Sequence, residues 1–295
     1  MKKPQLLTFL TFLFLTFFLT TPLIAQDTLK LGVLAKRGNQ EAMEKWKPLV
    51  DFITEKTSLK MEVVALSFDA IEPAVKNKKI DYLIANSGYF VELEKSANIK
   101  AIASMLTISQ GKLNNRFGGV ILVKADSPLN KVADLKGKKF MCVEMDSFGG
   151  CQMGLRHLID NGLNPFKDFQ GNVLEGKTHD AVVLAVQKGL VDSGTVRSDT
   201  LEQMEGEGKI KISDFKIIDK STDDFPFIHS TILYPEWPFA ALSQTSDENN
   251  KKIKDALISL QKDHPAAKAA QVGGWSEPLD YKPVGECLDA VKKAK

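Results

Sequence analysis

From Thr28 onward, short apolar runs alternate with stretches whose apolar positions recur every three or four residues. LKLGVLA reads as a strand and is followed by a break at 36–39. A helix then carries Trp46, Leu49, Val50 and Ile53 at helical spacing. MEVVAL from Met61 is a second strand, 69–76 a short helix, and IDYLIA from Ile80 a third strand. The turn Asn86-Ser87-Gly88 opens the helix YFVELEK. Strand and helix in alternation predict an α/β fold with a mostly parallel sheet covered on both faces, in which ligands gather at the carboxyl ends of the strands.

Two longer apolar runs interrupt this rhythm. FGGVILVKADSP begins after Arg116, and FPFIHSTILYP spans 225–235. Both read as strands that carry the chain between two lobes. Lobe one is then 27–117 with 233–295, and lobe two is 118–232. The second lobe contains the helix-forming NKVADLKG, the segment 138–158, the helix HDAVVLAVQKG and the strand VDSGTVR. C-terminal helices at 250–262 and 284–293 are expected to fold back on lobe one.

The segment 138–158, KKFMCVEMDSFGGCQMGLRHL, holds the most chemistry. It predicts a buried strand at 140–144, a tight turn at 146–150, and an amphipathic helix with Met153, Leu155, Leu158 and Ile159 on its apolar side. Gly149 and Gly150 let the backbone turn sharply and bring bare N–H groups close to whatever sits above. Ser147 adds a hydroxyl in the N-cap region, and Phe148 lies between it and the glycines. The first N–H groups of a helix lack internal partners and carry the positive end of its dipole, so this turn suits an oxyanion. Cys151 falls in the first helical turn, where the same dipole favours thiolate. Equally, it is a small buried thiol packing the helix on the sheet.

The first 26 residues stand outside the fold. Lys2 and Lys3 precede the apolar run LLTFLTFLFLTFFLT, and Ala25 occupies the place of a small residue before a cleavage site. The reading is an export signal removed near Gln26 and a periplasmic mature protein without membrane insertion. The chain holds 39 basic and 37 acidic residues, and Lys2 and Lys3 account for the difference. A formally neutral mature chain carries no nucleic-acid footprint. In an oxidising compartment Cys142, Cys151 and Cys287 allow one disulfide and leave one thiol. Cys151 is expected reduced and facing the cleft, with Cys142 and Cys287 as core residues or a disulfide pair.

Other groups complete the candidate set. Asn86, Ser87, Gly88 and Tyr89 open a helix after an apolar strand, so this turn also offers N–H and hydroxyl donors. Thr178, His179 and Asp180 begin a third helix. Thr195 and Arg197 end a strand, where Arg197 either pairs with an oxyanion or anchors Asp199. His157, His179, His229 and His264 are scattered, so no metal site or cofactor is expected. GxxxxGK[ST] and GxSxG are absent. The remaining catalytic alternative is a thiol enzyme pairing Cys151 with His179.

FGGVILVKADSPLNKVADLKGKKF, DSFGGCQM, THDAVVLAVQKGLVDSGTVRSDTLE and FPFIHSTILYPEWPFAAL resemble the PhnD-like periplasmic substrate-binding proteins for phosphonate, phosphite and phosphate. The resemblance covers nearly the whole mature chain. The SFGG turn, HDAVV helix and GTVR strand end are similar to a branch that supplies sensing domains to histidine kinases, including free-standing arsenic-oxyanion sensors with a cysteine in the site. This implies a type II periplasmic-binding-protein fold with two hinge strands and a cleft that closes over a small oxyanion without catalysis. Arsenate or arsenite is the ligand it implies, with Cys151 as the arsenic contact and a sensor histidine kinase ectodomain as partner. The alternative is delivery of phosphite, phosphonate or phosphate to an ABC permease.

Overall fold

The strand Leu29–Leu34 lies inside a sheet because its apolar run leaves no polar face, and its last four residues are buried. The computed structural model describes residues 28–35, 38–109 and 111–295, so the expected export signal lies outside the described residues. Leu29–Leu34 pairs in parallel with Met61–Leu66 on one side and Tyr82–Ile84 on the other. Across the sheet the order is Gly274–Ser276, Lys100–Ser109, Pro238–Ala241, Tyr82–Ile84, Leu29–Leu34, Met61–Leu66. Pro238–Ala241 enters antiparallel to both neighbours, returning from the far end of the chain. The helix Asn39–Thr57 buries Trp46, Leu49, Val50 and Ile53 against the sheet, as their spacing predicts.

A second sheet runs Phe215–Ile217, Gly119–Lys124, Ser193–Arg197, Phe140–Cys142, Leu174–Glu175. The expected helix at NKVADLKG is only a 3₁₀ turn, Val132–Leu135. The two sheets are joined by a small antiparallel pair, Arg116–Phe117 with Tyr234–Pro235. Both long apolar runs are therefore broken. The first breaks at Gly118, whose N–H donates to Ser198 Oγ at 3.1 Å. In the second, only Tyr234–Pro235 is strand. Ahead of it, Ser230 Oγ accepts from the Ile121 N–H and Thr231 Oγ1 from the Gly119 N–H, both at 2.9 Å. Side-chain hydroxyls thus replace ladder bonds along that stretch.

The C-terminal helix Lys282–Ala294 does more than fold back on the first sheet. Val284 and Cys287 sit in the first sheet's core, while Val291 sits in the second's. Arg156 Nη1 donates to Glu286 O at 3.1 Å, and Asn164 Nδ2 donates to Ala294 O at 3.0 Å. Among the described residues no helix is long and apolar enough to cross a membrane.

Candidate functional site

The turn at 146–150 leads into a wider coil than an ordinary helix start. Phe148–Gln152 forms one π-helical turn that runs into the α-helix Met153–Asp160. The Val143 N–H donates back to Gly150 O at 3.1 Å, so the strand end and the turn are one unit. A Cβ on Gly150 would come within 2.6 Å of Ser147 Oγ and of Val143 Cγ2, and within 2.9 Å of His179 Cε1. Only glycine fits there. Ser147, expected to cap the turn, makes no side-chain cap bond.

This fold-back also overturns the reading of the cysteines. Cys142 and Cys151 form a disulfide, with Cα atoms 4.9 Å apart, and both are fully buried. Cys151 is therefore neither a free thiol nor a cleft group, and a Cys142–Cys287 pair is ruled out. Cys287 is the free cysteine, buried, with burial pushing its pKa up to about 12. The thiol-enzyme alternative loses its nucleophile with the same bond.

A narrow space between the sheets is lined by Ser147, Gly149, Gly150, His179 and Arg197 from the second lobe and by Leu34, Phe68, Asn86 and Trp237 from the first. At about 10 Å³ it has room for a single water-sized sphere. Past Arg197 it continues into a cleft of about 90 Å³ walled by Trp46, Met105 and Trp237, with Lys45 and Gln271 at its edge. His179 Nδ1 accepts from the Arg197 N–H at 3.3 Å, which fixes the ring beside the strand end.

Several expected site residues lie elsewhere. Ser87 Oγ donates to Pro235 O at 2.7 Å and is fully buried at the junction strands. A Cβ on Gly88 would meet Gln152 Oε1 at 2.9 Å, which makes it a point of close lobe-to-lobe approach rather than a donor to the space. Tyr89 turns to the rear seam, where its hydroxyl reaches Phe68 O at 3.0 Å and Asp146 Oδ2 at 3.3 Å. Burial and the Asp146 charge hold its phenol pKa above the ordinary value. Phe148 points away from the space, its ring edge-on to Phe117 and Tyr234. Thr195 is fully buried beneath the helix Met153–Asp160, against Gly154. Asp180 pairs with Lys209 at 2.8 Å on the outer rim.

Arg197 reaches the space but is already engaged. Nη2 lies 2.6 Å from Glu236 Oε1, Nη1 lies 3.3 Å from Glu236 Oε2, and Nε lies 3.2 Å from Asp199 Oδ2. The guanidinium also stacks 4.1 Å from the Phe117 ring centre. Burial opposes its charge, yet the two carboxylates outweigh burial and hold its pKa above the ordinary value. Glu236 and Trp237 were missed in the sequence, although a lone carboxylate inside the apolar run YPEWPF was the signal. Of the turn expected at 86–89, Asn86 is the residue that lines the space; its Oδ1 caps the Tyr89 N–H at 3.1 Å, and its Nδ2 donates to Asp146 O at 3.3 Å.

Among the described residues no cluster of His, Cys, Asp and Glu is arranged to hold a metal ion. Residues 31–281 match the family model described as "ABC transporter, phosphonate, periplasmic substrate-binding protein". The tetrathionate sensor histidine kinase TtrS of Salmonella typhimurium is 30% identical over 268 residues, covering 90% of this chain and 44% of the kinase. The chain thus spans less than half of that relative's length. The phosphonates-binding periplasmic protein of Escherichia coli is 22% identical over 256 residues, covering 85% of this chain and 71% of that protein. Among solved structures, PhnD1 from Prochlorococcus marinus in complex with methylphosphonate superposes with a TM-score of 0.75 at 16% identity, over 90% of this chain and 98% of that one. XAC2383 from Xanthomonas citri bound to ATP gives 0.72 at 19% identity, with the same coverage.

Proposed function

The chain belongs to the family of phosphonate-type periplasmic substrate-binding proteins of ABC transporters, and from that premise we propose that it captures a small oxyanion between its lobes and presents it to a membrane sensor histidine kinase. The observation that carries this reading is the convergence of the Ser147–Gly150 turn, His179 and the Asn86 cap on one space between the two sheets. The turn brings backbone N–H groups and the Ser147 hydroxyl to this space, neutral donors that suit an anion that must bind and then leave. The space is smaller than an oxyanion, so entry requires the lobes to part about the junction of Arg116–Phe117 with Tyr234–Pro235. The proposed role is binding alone.

The kinase partner is supported by the 30% identity to a sensor histidine kinase over 90% of this chain. That relative's name makes tetrathionate a candidate ligand here. Arsenate is the second candidate, as a tetrahedral oxyanion held by the same donors. Arsenite is a weaker one, because an arsenic–sulfur contact at Cys151 would first require a reductant to open the Cys142–Cys151 bond. Delivery to a permease is the alternative that the family description supports.

Calorimetric titration of the oxidised protein with tetrathionate, arsenate, arsenite, methylphosphonate and phosphate tests the ligand. Pull-down of the liganded protein on a kinase ectodomain and on a permease tests the partner. Saturable binding of one oxyanion per chain is expected, and absence of binding across the panel contradicts the reading.

A further inference from the structure

Arg197 comes from the second sheet and Glu236 from the returning chain beside the first, so their ion pair crosses the floor of the cleft. Glu236 is fully buried and Arg197 nearly so. Neither end of Glu236 is free to withdraw. Its N–H donates to Asn115 O at 2.9 Å, and its carbonyl accepts from the Tyr281 hydroxyl at 2.8 Å. The carboxylate takes both Nη groups of Arg197 and also accepts from the Trp237 N–H at 3.2 Å. Among the described residues that line the apical space, Arg197 is the only Lys or Arg.

A buried carboxylate fixed on that guanidinium changes what the space selects. An unpaired guanidinium would hold a dianion bidentately and strongly. Paired with Glu236 and Asp199 it is more than neutralised, and each further negative charge brought into the cleft that both carboxylates line meets fixed like charge. Neutral N–H donors remain, and these lose little when the head of the ligand carries one charge instead of two. Repulsion of the wrong ligand is as effective a route to selectivity as attraction of the right one.

We propose that Glu236 is a specificity-determining residue: as a permanent buried counter-ion to Arg197, it turns the cleft toward singly charged oxyanion heads of the sulfonate type and away from dianionic phosphoryl heads. This rests on the oxyanion-binding reading above, and the experiment separates the two.

Methanesulfonate and inorganic phosphate are the probes, each titrated into the wild-type protein, Glu236→Gln and Asp199→Asn at pH 8. Wild type is expected to favour methanesulfonate. Glu236→Gln keeps the shape but releases the guanidinium, and should shift the affinity ratio toward phosphate by roughly tenfold or more, the scale of one charge-assisted hydrogen bond. Asp199→Asn frees only the Nε edge and should shift the ratio in the same direction by less; it decides the matter if circular dichroism finds Glu236→Gln unfolded. A wild-type preference for phosphate, or a ratio unmoved in the folded variants, overturns the inference and leaves oxyanion binding standing. Failure of all three proteins to bind either probe overturns the inference, and overturns the oxyanion reading as well only when tetrathionate, arsenate, arsenite and methylphosphonate also fail to bind wild type.

Discussion

The Tyr89 hydroxyl of the first lobe lies 3.3 Å from Asp146 Oδ2 of the second, on the far side of the Ser147 turn from the cleft. The lobes are therefore tied at the rear by the residue next to the proposed anion site. Tyr89→Phe removes the one phenolic proton that Asp146 Oδ2 and Phe68 O share. It should cost the closed arrangement about 1–2 kcal/mol. Small-angle scattering should record a larger radius of gyration in the variant, and oxyanion affinity should fall by roughly fivefold to thirtyfold.

The same seam predicts a pH response. Burial first, and then Asp146 and Glu72, hold the Glu92 carboxyl above its ordinary pKa of 4.5, with Lys292 and Lys295 opposing. A raised carboxyl pKa means that the folded form binds this proton more tightly than the unfolded chain does. The stability contribution is complete below about 4.5 and is lost as pH rises through the raised value. Glu92→Gln should melt higher than wild type near pH 7, with the gap closing as pH falls toward 4.5. Parallel melting curves across that range check the sign.

The Cys142–Cys151 bond closes a short loop, with a sequence separation of 9. Chain-entropy reasoning assigns such a loop about 3 kcal/mol. Reduction, or Cys151→Ser, should lower the denaturant midpoint accordingly, while affinity for phosphate-shaped anions changes only a few-fold. Alkylation of the denatured, unreduced protein should label Cys287 alone, as mass spectrometry would record.

Gly150→Ala should be the most damaging small change in the turn. The added methyl meets Ser147, Val143 and His179, none of which is the loose end of a long side chain. Overpacking of this kind costs about 1–3 kcal/mol. It also moves the N–H groups that would hold the ligand, so the variant should bind at least tenfold more weakly while keeping its circular dichroism spectrum.

The α/β class was legible because runs such as 120–123 leave no polar face for solvent, but the expected mostly parallel sheet was not found: both sheets are mixed, since strands such as Pro238–Ala241 and Gly119–Lys124 pair antiparallel with their neighbours. The two long apolar runs pointed to the segments that hold Arg116–Phe117 and Tyr234–Pro235, but neither run is one continuous strand. What alternation along a strand does not reveal is which face another element will cover. Thr195 and Arg197 share a face of Ser193–Arg197, but the helix Met153–Asp160 lies over Thr195, and only the strand end reaches the cleft. Arg197's main partner lies 39 residues away, beyond any local pattern. Three cysteines allow three pairings, and the chosen one depends on the π-helical turn folding back onto Phe140–Cys142. Nothing in SFGGC announces that extra residue per turn.

The most direct test of oxyanion capture is titration calorimetry on the oxidised wild-type protein beside Gly150→Ala and His179→Ala, with tetrathionate, arsenate, arsenite, methylphosphonate and phosphate in turn. At least one of these should bind wild type at one per chain, and both variants should weaken that ligand by about tenfold or more, the scale of one or two lost hydrogen bonds. Binding that is unaltered in both variants, or absent from wild type for every anion, would contradict the account.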